Sequence, residues 1–357
     1  MFYRTFNPGP SQVTEATKED VREALKHNII GISHRSTAFK EIAEQAVMGL
    51  RHYFKVPDDY HVLFSSSATE AMELVVRNLV ASESFHFTNG NFSELFARIS
   101  ESLGKITATD AVPWGRQNNT DLVKIPGSAE IVTLTYNETS TGVTADAAMV
   151  DNLHRRVNET LFVVDITSAA GCVPLDIPQA DVWLFSVQKG MGLPAGLGVL
   201  FISPKAFERS QRQKQTGIFN FSKMVDHITN YQTIQTPNVL GIYLLARQLE
   251  RWNRLPRAFN FTETRAKAGL LDKFVNRHDR LAYFVKDPKF RSKTVVCLEA
   301  APEIIGLIHK TAEAEGLIIG GGYGKLKPTT VRIANFPALE RSDIQHLIDV
   351  ITPAVVR

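Results

Sequence analysis

Short apolar runs, each about a strand long and closed by a small or polar residue, punctuate this chain: Ile131–Thr135, Leu161–Asp165, residues 182–185 and Gly198–Ile202. They do not alternate apolar with polar, as a strand with one wet face would. Near-continuous apolar strands are buried on both faces, which happens when helices cover both sides of a largely parallel sheet. Further strands are expected at 61–64 and 85–88, and a helix at 39–54 with Ile42, Ala46, Met48, Leu50 and Tyr53 on its apolar side. Small residues Ser65, Ser66, Ser67, Ala68 and Thr69 follow the 61–64 run and open another helix. This alternation is α/β punctuation. After about Arg257 the character changes. A helix at 262–276, a strand at 294–298, a helix at 301–315, a strand at 331–335 and a helix at 341–351 describe a smaller α+β unit. The expected division is a large domain, 15–256, and a small domain made of 257–357 with the N-terminal segment 1–14.

Composition narrows the class. A chain of 357 residues with 44% hydrophobic and 22% charged residues is long enough for about two domains. The net charge is only +3, and no block of five or six like charges suggests a nucleic-acid arm or a polybasic membrane tail. The first ten residues lack the apolar core of a signal peptide, and no apolar run reaches the ~18 residues of a membrane span. The cytoplasm is the default compartment. Cys172 and Cys297, the only cysteines, supply neither a disulfide framework nor a metal-ligand set, and both are expected reduced and buried.

The chemistry centres on Lys189, which follows the 182–185 run directly, and on Asp165, which ends another run twenty-four residues upstream. An amine and a carboxylate at neighbouring strand ends suit pyridoxal phosphate. The amine can hold the cofactor aldehyde as an imine, and the carboxylate can keep the pyridine nitrogen protonated so that the ring accepts electrons. The serine-rich turn offers unpaired N–H groups at a helix N-terminus, with Ala68 and Thr69 as donors for a phosphate. Phe92 could stack on a ring, and Thr139 could hydrogen-bond a ring hydroxyl. Taken singly, each also fits a plain role: an exposed lysine, a strand-end aspartate, an ordinary N-cap, a core phenylalanine, a polar turn.

In order along the chain stand Asn7, Pro8, Gly9, Pro10; Ile32, Ser33, His34, Arg35; Asn137, Glu138, Thr139; Asp165; Gln188, Lys189 with Gly192, Pro194, Ala195, Gly196; and Thr236, Pro237. This ordered set, spread over nearly the whole chain, resembles the phosphoserine aminotransferase family of class V, fold-type I enzymes. The resemblance implies a large sheet domain with a smaller C-terminal one, and pyridoxal phosphate joined to Lys189 as a Schiff base. It implies that Asp165 pairs with the pyridine nitrogen, Phe92 stacks on the ring, Thr139 binds the ring oxygen, and Ala68, Thr69 and Gln188 hold the phosphate. Thr236 would reach that phosphate from a neighbouring subunit, so a homodimer is implied; Gln235 stands where the family usually has Asn. Arg332 would bind the substrate α-carboxylate, with His34 and Arg35 on the distal phosphate or side-chain carboxylate. The implied reaction is ping-pong transamination between phosphoserine and 2-oxoglutarate, a step of serine biosynthesis.

Two departures concern the substrate. The phosphate turn is rich in serine rather than glycine. Where the family places a His and Arg pair before the carboxylate-binding arginine, this chain has Lys325 and Lys327, which bring charge without the planar fork of arginine. An alanine–glyoxylate or serine–pyruvate aminotransferase would keep every cofactor residue, whereas a cysteine desulfurase or lyase would need a mobile cysteine that Cys297, in an apolar run, does not suit. Gly320, Gly321, Gly322, Tyr323, Gly324 and Lys325 imitate a nucleotide-binding loop, but Ile319 occupies its first glycine position and Leu326 its Ser/Thr position. A flexible turn is expected there.

Overall fold

The computed structural model describes residues 4–157 and 159–356. Residues 1–3 of the N-terminal segment and residue 357 of the C-terminal one lie outside the described residues. Among the described residues the larger of the two main sheets has seven strands, in the edge-to-edge order His61–Ser65, Gly198–Ile202, Val182–Ser186, Leu161–Asp165, Ile131–Thr135, Glu83–Thr88, Ile106–Ala111. Gly198–Ile202 runs antiparallel to both neighbours, and all other pairings are parallel. Every residue of Ile131–Thr135, Leu161–Asp165, Val182–Ser186 and Gly198–Ile202 is buried, as their unbroken apolar character requires.

The register decides where chemistry collects. Thr135 lies opposite Asp165, Asp165 opposite Leu184, and Gly198 opposite both Ser186 and Ser65. The carboxyl ends of the parallel strands therefore finish together. The segments leaving them, with Ser66–Thr69, Asn89–Phe92, Asn137–Thr139, Thr167–Ser168 and Gln188–Lys189, gather along one edge, where open α/β sheets form their ligand crevices.

The helix Thr37–Phe54 illustrates why these residues form helices. Ser36 caps it by accepting from Phe39 N, and Phe39, Ile42, Ala43, Ala46, Val47, Leu50, Tyr53 and Phe54 form its buried stripe. It ends at Lys55, whose φ of 54° is left-handed. Leu50 is fully buried, so truncation to alanine would cost about 2–5 kcal/mol. Met48, expected on the apolar side, is 51% exposed, because helical spacing turns it away from the positions that carry the stripe.

The second main sheet has the order Arg4–Phe6, Leu317–Gly321, Thr330–Ala334, Val295–Glu299, Ala282–Tyr283. Phe6, Leu271, Ile308, Ile333, Leu347 and Ile351 belong to a hydrophobic cluster of its own. The helices Phe259–Val275, Pro302–Ala314 and Arg341–Val356 supply much of that cluster. The glycine-rich stretch expected to be a flexible turn is instead structured. Gly320 and Gly321 belong to a strand, and Gly324–Leu326 is a turn of 3-10 helix. A side chain at 320 would collide with Pro8, its added Cβ lying 2.4 Å from Pro8 Cδ, so glycine here serves close backbone passage. Both cysteines are free and buried. No helix among the described residues is long and apolar enough to cross a membrane.

Candidate active site

Lys189 is buried, and its Nζ donates to Thr139 Oγ1 at 2.8 Å and sits 4.6 Å from the centroid of the Phe92 ring. Burial pushes this amine down to about 8; Asp165 and Glu138 pull it back up, and Arg332 pushes it further down. Asp165 is likewise buried. Its Oδ1 accepts from both the N–H (2.8 Å) and the hydroxyl of Thr167, and burial raises its carboxyl against those bonds and the charge of Lys189. Among the described residues Oδ2 takes no hydrogen bond, which leaves one carboxylate oxygen for a cationic donor.

The N-terminal segment closes over the lysine. Ser11 N and Oγ both donate to Gln188 O, at 3.0 and 2.9 Å. A Cβ added to Gly9 would stand 3.0 Å from Lys189 Cε. Behind Thr139, its hydroxyl donates to Ser168 Oγ (2.9 Å), which itself donates to Asn137 O (2.8 Å). The Thr139 hydroxyl is thereby fixed on both sides.

The serine turn keeps both of its expected characters. Ser67 is an ordinary N-cap, accepting from Glu70 N, and the Ala68 N–H is taken by Ser186 Oγ. Thr69 is exposed, and among the described residues its N–H and hydroxyl have no partner, so it is the free anion donor of this helix start. Gln188, the residue before Lys189, is half-buried, and among the described residues no hydrogen bond joins its side chain to this helix start.

Arg332 reaches the lysine pocket from the other sheet. Its Nε donates to Gly321 O (2.8 Å) and its Nη1 to Thr139 O (3.1 Å), so the residue whose hydroxyl meets Lys189 also anchors the guanidinium. Tyr323 lies between Phe92, ring centroids 5.5 Å apart, and Arg332, 5.4 Å from its ring. Lys325 and Lys327 are exposed, and Lys325 Nζ rests 5.1 Å from the Trp114 ring centroid. His34 is half-buried and Arg35 exposed, and no hydrogen bond, ion pair or ring contact among the described residues joins either to Lys189. Burial lowers the His34 imidazole, helped by Arg35 and His227. Thr236 is also exposed, just before the Asn238 cap of the helix Val239–Asn253. The structure thus joins Lys189, Asp165, Thr139, Phe92 and Arg332, and leaves His34, Arg35 and Thr236 on the surface of a single chain.

Glu138, Ser168 and Tyr323 also belong to this constellation, and no local pattern in the sequence marks them. Glu138 lies within a quoted motif, yet a buried carboxylate in a two-residue strand has no periodicity to announce it. Tyr323 was hidden in the glycine-rich stretch.

The residues present fit pyridoxal phosphate: a buried amine with lowered basicity, an aromatic face beside it, a carboxylate with one free oxygen, and unpaired donors at a helix start.

The Aminotransferase class-V family profile matches residues 5–323. The phosphoserine aminotransferases of Rhodococcus opacus and Corynebacterium glutamicum are each 28% identical, over 96% of this chain and 92% of theirs. The crystal structure of a phosphoserine aminotransferase from Cytophaga hutchinsonii superposes with a TM-score of 0.95 at 31% identity, covering 98% of both chains. An alanine–glyoxylate aminotransferase from Nostoc shares the fold, with a TM-score of 0.86 at 19% identity over 99% of this chain and 95% of that one. Sequence, register and superposition agree that this chain belongs to the class-V aminotransferases of fold type I, within the phosphoserine aminotransferase family.

Proposed function

We propose that the protein transfers the amino group of phosphoserine to 2-oxoglutarate, using pyridoxal phosphate held on Lys189, in two half-reactions of ping-pong type. Pyridoxal phosphate, when bound, supplies an electron sink for charge developing at the substrate α-carbon and an aldehyde carbon that carries nitrogen between substrates. The observation that carries the proposal is the Lys189 amine, buried between the Thr139 hydroxyl and the Phe92 ring.

With burial holding Lys189 near 8, a large share is neutral at mildly alkaline pH, and a neutral Nζ can take the α-proton and return it. Asp165 would hold the pyridine nitrogen, Phe92 would cover the ring face, and Thr139 would bind the ring oxygen. Ala68, Thr69 and Gln188 would hold the phosphate; the Ala68 N–H would share itself with Ser186 Oγ, so Thr69 carries more of that work. Arg332 would grip the α-carboxylate, its guanidinium already fixed by two carbonyls. His34, Arg35 and Thr236, all away from the pocket of their own chain, would serve the site of a second copy, which makes a cytoplasmic homodimer the working form. The same reading divides the chain into a cofactor domain, 15–256, and a domain of 1–14 with 257–357.

Lys325 and Lys327 would complete the distal charge. Because Lys325 and Lys327 bring charge without the planar fork of arginine, a donor without phosphate, as in alanine–glyoxylate or serine–pyruvate exchange, is the second reading.

Purified protein loaded with pyridoxal phosphate should show a visible absorption band that phosphoserine bleaches and 2-oxoglutarate restores. Alanine and serine should act much more slowly. A band bleached by alanine and indifferent to phosphoserine would transfer the assignment to the second reading; Arg35→Ala should weaken phosphoserine far more than alanine.

A further inference from the structure

Glu138 is fully buried and carries a carboxylate, which is costly unless every lone pair is met. Five donors meet it. Oε2 accepts from Phe92 N (3.1 Å) and Ser93 N (2.9 Å), Oε1 accepts from Ser140 N (3.0 Å) and Ser140 Oγ (2.6 Å), and the Ser93 hydroxyl lies 3.1 Å from Oε2. Two of those N–H groups lie at the start of the helix Asn91–Ser102 and have no partner within it, and the N-cap, Gly90, has no side chain to cap them. Gly90 also makes room: a Cβ there would fall 2.3 Å from Glu138 Cγ. One carboxylate therefore ties the turn that carries Phe92 to the hairpin that carries Thr139, and these two residues touch Lys189 Nζ from two directions.

We propose that Glu138 is a positioning residue for Lys189, setting the placement of the Phe92 ring and the Thr139 hydroxyl about the amine. The inference rests on Lys189 being the cofactor lysine. A residue serving only as a helix cap would need no tie to residue 140, and Ser, Asp or Asn at position 90 would do that work locally. The carboxylate is also a second negative charge toward the amine. The charged groups acting on Lys189 are Asp165, Glu138 and Arg332; the first two favour its protonated form and the third opposes it.

Three measurements test this. In cofactor-free protein, the pH midpoint of Lys189 acetylation by trace acetic anhydride should fall by on the order of one unit in Glu138→Gln, since an opposite charge is removed. Phe92 and Ser93 amides should exchange faster while the helix end near residue 102 stays protected. In the loaded enzyme, the losses in kcat from Glu138→Gln and Phe92→Ala should be non-additive, because one acts through the other. Should Glu138→Gln not fold, Gly90→Ala displaces the same carboxylate from the other side and should speed those two amides and combine non-additively with Phe92→Ala. An unchanged Lys189 midpoint with additive losses would reduce Glu138 to a helix cap and overturn the proposal. Failure of the wild-type protein to bind pyridoxal phosphate, with the midpoint shift intact, would instead sink the proposed function alone.

Discussion

Among the described residues two lysines are buried, one in each hydrophobic region, and their contrast separates the proposed cofactor amine from a strut. Burial pushes both Lys189 and Lys267 down to about 8. Basicity therefore cannot tell them apart. Hydrogen-bond saturation does: Lys267 Nζ donates to two backbone carbonyls, Phe336 O and Leu339 O, each at 2.7 Å, and so ties the helix Phe259–Val275 to the turn before the last helix. Lys189 has one hydroxyl and the face of a ring. A neutral amine with an uncommitted N–H can turn to attack a carbonyl, whereas one donating to two carbonyls has both protons of its neutral form committed to structure.

The contrast is easiest to break at its extremes. Lys189→Ala should remove the cofactor band and lower transamination by roughly 10⁴-fold or more, since anchor and base are lost together. Its folded stability should hardly fall. Lys267→Met should do the reverse, costing about 1–3 kcal/mol in chemical denaturation by stranding Leu339 O, with kcat/KM within a few-fold of wild type. Equal effects of the two substitutions on activity would erase the distinction.

A subtler measurement follows stability against pH in the cofactor-free protein. Both amines are less basic folded than unfolded, so between about pH 8 and the unfolded lysine value near 10.4 the unfolded chain holds more protons. Stability should then rise with pH across that window, by at most ~1.4 kcal/mol per unit for each lysine, with the penalty fully present below it. Buried tyrosines such as Tyr136, raised to about 12, oppose this only above pH ~10. Removing either lysine should flatten the rise; an unaltered slope would mean that neither amine is desolvated as the geometry requires. The smallest effect is expected from Thr139→Val. It should cost under about 1.5 kcal/mol in stability, because Lys189 is not a strut, while weakening retention of pyridoxal phosphate.

The same contrast shows how much could be read without coordinates. The apolar runs marked the strands at Ile131–Thr135, Leu161–Asp165 and Gly198–Ile202 because a strand covered on both faces leaves no polar alternation. The edge strand Ile106–Ala111 escaped, being polar and largely exposed, and Leu317–Gly321 escaped because glycine there answers to Pro8 rather than to a turn. Asp165 and Lys189 were legible since each follows a buried run directly. Glu138 was not, because three of its five donors come from Phe92 and Ser93, which reach it only in the fold.

Local pattern alone determined that this chain builds a covered parallel sheet with an acid, an amine and a small-residue turn at strand ends, since periodicity and strand termination are properties of neighbours in sequence. Only tertiary structure decided that those ends lie side by side, that Arg332 arrives from the second sheet to bind Thr139, and that Lys267 meets two carbonyls while Lys189 meets one hydroxyl and a ring face. The strand order is permuted relative to the chain, so every such meeting depends on long-range register, which no local pattern encodes.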